Sequence, residues 1–137
     1  MTSDRLENLV ATGLLDREDP SEAELKGLMA SGVSRLEDAR REDLSSESRF
    51  DLAYNAAYAL ARFALRKKGY RPKKRYVVFQ VLSETAGLDR SQWRVLDKAH
   101  SQRNRVEYEG YPDIDERLLD SMLEATRKLL DALEGES

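Results

Sequence analysis

The stretch from Phe50 to Leu65 is apolar on nearly every face of a helix, through Phe50, Leu52, Ala53, Ala56, Ala57, Leu60, Ala61, Phe63, Ala64 and Leu65. A helix of that kind must be covered on several sides, so it predicts a central helix surrounded by others. Its neighbours in the chain supply them. Leu6, Leu9, Val10 and Leu14 recur at helical spacing, and Asp19-Pro20-Ser21 breaks that first helix. Ser21 and Glu24 read as a capping box, with Ser21 as N-cap and Glu24 reaching back, ahead of the stripe Leu25, Leu28, Met29, Leu36, Ala39. Gly27 and Gly32 weaken that helix by about 1 kcal/mol each relative to alanine, so they mark fraying or close packing.

The segment Tyr76-Val77-Val78-Phe79-Gln80-Val81-Leu82 is rich in β-branched residues, which favours a strand. No partner strand is evident nearby, so it reads as a short buried helix to about Ala86, ended by Gly87. A long helix follows from Asp89 to Tyr108, stopped by Gly110-Tyr111-Pro112. The last, from about Asp115 to Leu133, carries a full apolar stripe including Leu118, Leu119, Met122, Leu129 and Leu130. With 137 residues, three prolines and seven glycines, the expectation is one all-α domain over 1–137. It is an antiparallel helical bundle of five to six helices, with a tail from about 135. There is no cysteine, which excludes disulfides and thiol chemistry. The single histidine excludes any mechanism needing a histidine pair in one chain, and neither a metal site nor a cofactor is expected. No apolar run approaches a membrane span, and no leader sequence is read at the start, so the expected location is cytoplasmic.

The net charge of -3 hides an uneven distribution. Residues 52–83 hold eight bases and no acid. Arg66, Lys67, Lys68, Arg71, Lys73, Lys74 and Arg75 span one helix end and the loop after it, and form a candidate RNA-binding patch. Tyr70 and Tyr76 flank the loop, placed to stack on bases. The alternative is a solubilising, dipole-complementing helix end.

A second polar concentration is His100-Ser101-Gln102-Arg103-Asn104-Arg105-Val106-Glu107-Tyr108. His100, Arg103, Asn104 and Glu107 share one helical face. That face is either a solvated surface with an Arg103–Glu107 pair or a functional one.

These residues resemble the HEPN superfamily of small α-helical proteins from prokaryotic toxin–antitoxin and defence systems. The resemblance runs through Ser48–Ala57, the basic link, Tyr76–Gln80 and Arg103-Asn104-Arg105-Val106-Glu107-Tyr108-Glu109-Gly110. Many members are metal-independent endoribonucleases marked by Arg, four to six residues, then His, often with Asn after the Arg. Arg103-Asn104 matches the start, and Tyr108 stands where the histidine would fall. The resemblance therefore implies an RNA- or partner-binding homodimer with weakened or absent ribonuclease activity. It implies a cognate antitoxin or nucleotidyltransferase as partner, with Tyr108 a site of AMP transfer in some such pairs. Arg103, Asn104, Tyr108, His100 and Glu107 are the candidate catalytic residues. An active endoribonuclease using His100, and a pure protein-interaction module, are the two alternatives. Trp93 and Leu96 are the expected dimer anchors.

Overall fold

The computed structural model describes residues 4–109 and 114–135, with 106–109 described by backbone alone. Its elements are α1 (Asp4–Ala11), β1 (Leu15–Arg17), α2 (Glu22–Ala39), α3 (Ser46–Lys67), β2 (Tyr70–Pro72), α4 (Val77–Gln80), α5 (Leu82–Ala86), α6 (Arg90–Glu109) and α7 (Glu116–Gly135). The expected all-α bundle is what the chain forms. The described residues hold seven helices rather than five or six, partly because the 77–86 segment divides at Val81. That segment is helical, as expected, although strands do form nearby as β1 and β2, and α5 ends on Gly87 at φ +65°.

α3 is the hub, packing against α2, α4, α5, α6, α7 and β2. Alanines 53, 56, 57, 61 and 64 are all buried on it, and their small side chains let several helices approach at once. α2 comes closest at Gly32, where an added methyl group would lie 2.5 Å from Leu60 Cδ2. Gly27 is the opposite case, with nothing within 4 Å of such a methyl. Of the two roles open to these glycines, close packing belongs to Gly32 alone. α7 buries Leu118, Leu119, Met122, Leu129, Leu130 and Leu133 against α3 and α6.

Three local readings change. α1 ends at Ala11, and Leu15 lies on β1 with 1% of its surface exposed. The basic loop is in part a strand: β2 pairs antiparallel with β1, matching Leu15 to Pro72 and Arg17 to Tyr70. The half of the capping box made by Ser21 is present, since Glu24 N–H donates to Ser21 Oγ at 3.1 Å. The other half is replaced, because the Glu24 carboxylate turns to Arg66 and Arg71. Charged donors bind a carboxylate more strongly than one backbone amide does.

Candidate nucleic-acid interface

The cations of the acid-free stretch do not form one surface. Arg66 is 1% exposed. Its Nε and Nη2 donate to the Glu24 carboxylate, both at 3.1 Å. Its Nη1 donates to the carbonyls of Glu18 and Tyr70 at 2.7 and 3.1 Å, and Nη2 also donates to that of Asp19 at 3.1 Å. Five N–H groups thus meet five acceptors, which is the full capacity of a guanidinium. Arg66 pins α2, the chain after β1, and β2 to α3. It is removed from any phosphate surface. Its bonds hold the Glu24 carboxyl below the usual carboxylate range.

Arg71 pairs with Glu18 and with Glu24, and Lys73 lies 3.5 Å from Asp16 on the neighbouring strand. Asp16 and Glu18 reach them beside the β1–β2 pairing, and Glu24 from α2. Tyr70 is also withdrawn from the stacking role. It is 4% exposed, and its hydroxyl donates to the Glu7 carboxylate. Burial first, and then Glu7, push its phenol up to about 12. Glu7 is held low by hydrogen bonds from Arg17 and Tyr70. Lys67 and Lys68 are exposed beyond this clasp, and Lys74 and Arg75 beyond β2.

Arg75 meets the polar face of α6. Its guanidinium carbon lies 4.1 Å from the Tyr58 ring centre and 5.7 Å from that of Tyr54. Arg103 lies 4.8 Å from the same Tyr54 ring. The phenolic oxygen of Tyr54 is 2.9 Å from His100 Nδ1, and Asn104 Nδ2 is 3.3 Å from His100 Nε2. With the amide nitrogen of Asn104 facing it, Nε2 accepts and Nδ1–H donates to Tyr54. Turning the amide over exchanges the roles, and both ring nitrogens stay engaged. Phe79 of α4 closes the group, with its ring centre 5.9 Å from Tyr54 and 6.0 Å from His100.

Burial depresses the imidazole pKa below its ordinary value. Asp97 opposes that shift, and Arg75 and Arg103 reinforce it. The ring is therefore neutral at pH 7. The surface remains reachable: Arg75 is exposed, and Tyr58, His100, Arg103 and Asn104 are half-buried. Two arginines on aromatic faces beside a neutral histidine can take a phosphate oxygen and pack a ring or sugar.

His100, Arg103 and Asn104 are thus together, as their spacing predicts, and Arg75 joins them from the basic stretch. Tyr54 and Tyr58 were not among the candidates. Their signal was two tyrosines one turn apart on an alanine-rich helix. The side chains of Glu107 and Tyr108 lie outside the described residues, as does the Gly110-Tyr111-Pro112 stop. Of the two dimer anchors, Leu96 is fully buried in the chain's own core and Trp93 is half-buried. Among the described residues no three His, Asp or Glu side chains gather as metal ligands, and no helix is long and apolar enough to cross a membrane. No protein-family model matches the chain, and comparison with curated proteins and with solved structures returns no match.

Proposed function

We propose that this is an HEPN-like, RNA-binding homodimer of the toxin–antitoxin or defence type, with cleavage slow or absent. One observation carries the reading: Arg75, from the turn after β2, and Arg103, from α6, converge on Tyr54 beside His100 and Asn104. An aromatic face attracts a guanidinium without accepting its in-plane N–H groups, so exposed Arg75 keeps donors to offer a phosphate. The Arg103-Asn104 pair that begins the family-like motif lies in this cluster.

Two features support weak catalysis. Cleaving RNA without a metal needs a base at the 2′-hydroxyl and an acid at the leaving oxygen. His100 is neutral, as a base must be, but both its nitrogens are engaged by protein groups, so proton transfer must first break a bond. Tyr108 stands where the family's histidine would fall, and an ordinary phenol, with a pKa of about 10, is a poor base at pH 7.

The test is a labelled single-stranded RNA incubated with chelator, scored for binding and for cleavage. Wild type binds in a salt-dependent way and cuts little. Arg103→Ala lowers the log–log salt slope by about 0.7, one phosphate contact. Tyr108→His raises cleavage. Rapid chelator-resistant cutting that disappears in His100→Ala makes the protein an endoribonuclease. No RNA binding at low salt makes it a protein-interaction module.

A further inference from the structure

Lys67 faces a different surface from the Tyr54 cluster. Its ammonium lies 5.8 Å from the centre of the Phe63 ring. That ring joins Leu25, Met29 and Ala30 of α2 in lining a groove of about 500 Å³ between α2 and α3. The apolar side chains are incompletely covered: Ala30 is exposed, and Leu25, Met29 and Phe63 are half-buried. Each helix adds one lysine to the lining, Lys26 from α2 and Lys67 from α3, and no acid lines the groove. Neither lysine enters an ion pair among the described residues.

We propose that this groove docks an amphipathic helix of a partner protein whose apolar face is bordered by carboxylates. A groove between two helices, floored by leucine, methionine and phenylalanine, takes anchors spaced i, i+3 or i+4, i+7 from a helix laid along it. An unpaired lysine on each wall attracts an acidic border and repels a basic one, which sets partner choice more than raw affinity. A small molecule would find no polar group to orient it except the two lysines. A second copy of this chain is a poor occupant. The apolar stripe of α7 is turned into its own core, as are Leu6 of α1 and the buried face of α3.

The experiment uses the full-length protein and two fluorescein-labelled helical peptides of about 18 residues. Both present leucines at i, i+3, i+4 and i+7; one borders them with glutamate, the other with lysine. Anisotropy is expected to show the acidic peptide binding at least about tenfold more tightly. Lys26→Glu with Lys67→Glu reverses that preference, and both sites are exposed, so the fold is retained by circular dichroism. Ala30→Trp fills the groove and abolishes binding of either peptide. Equal binding of the two peptides, no binding, or a preference that survives the double variant would each overturn the proposal. A wild-type dimer mass that falls to monomer in Ala30→Trp would also overturn it, by making a second copy the occupant.

Discussion

Arg66 and Arg75 come from the same acid-free stretch and have opposite fates. Arg66 is enclosed by a carboxylate and three carbonyls, with every N–H engaged. Arg75 rests on two tyrosine rings and stays exposed. A cation saturated by oxygen acceptors becomes part of the scaffold. A cation on an aromatic face is oriented but still has donors to offer. A count of positive charge along the chain cannot separate these fates, because the acids that neutralise Arg66, Arg71 and Lys73 come from residues 16–24 and arrive only on folding, Glu24 as α2 packs on α3 and Asp16 and Glu18 as β1 meets β2.

The largest test of this contrast is Arg66→Met. It keeps the bulk but leaves Glu24 with Arg71 alone and strands the carbonyls of Glu18, Asp19 and Tyr70, and should cost about 3–5 kcal/mol in denaturant unfolding. A loss below about 1 kcal/mol would mean that Arg66 is not a pin. Arg75→Ala is the counterpart. Its unfolding midpoint should barely move, while RNA affinity falls by about tenfold, or about 1.4 kcal/mol. The contrast breaks if Arg75→Ala unfolds the protein more easily than it weakens binding.

Acid should then separate the two regions by pH. His100 has its folded pKa lowered by burial, so the unfolded chain binds more protons below its ordinary value of 6.5. Stability should begin to fall as pH drops through that value, and His100→Gln should flatten this limb. Glu24 has its folded pKa lowered by Arg66, so its contribution is present above the unfolded value of about 4.3 and is lost as pH falls further. Arg66→Met should flatten only this lower limb. Because the chain has one histidine, its ring signals in NMR report the upper titration directly. The smallest effect belongs to Lys73→Ala. Its exposed pair with Asp16 makes a stability change of a few tenths of a kcal/mol. A decrease in RNA affinity as large as that of Arg75→Ala would show that strand-paired lysines still reach phosphate.

What was legible in the sequence follows from the range of the forces involved. The 77–86 helix rests on the lack of an evident partner strand, while the central α3 and the α7 stripe rest on apolar pattern within single segments. The shared face of His100, Arg103 and Asn104 rests on helical spacing within one segment. The β1–β2 pair was not legible, because three-residue strands carry too little pattern and Leu14, just before β1, continues the spacing of α1. The role of Glu24 was masked by a valid local motif, since a capping box is stated without knowing that a buried arginine will face it. Tyr54 was visible as a residue and not as a partner, because its bond to His100 joins α3 to α6.

The pairing of Leu15 with Pro72 also has a consequence in time. A chain leaves the ribosome from its amino end at about 5–20 residues per second. β1 therefore emerges seconds before the strand it needs, and Arg66, which locks the two, emerges in between. During that interval α2 and α3 can meet as a neighbouring helical hairpin, at low loop-closure cost. Leu6 and Leu15, both buried in the finished protein, have nothing to cover them. Among these elements, α1 and β1 are thus made before the strand that secures them, which leaves them open in a nascent chain to chaperones and proteases.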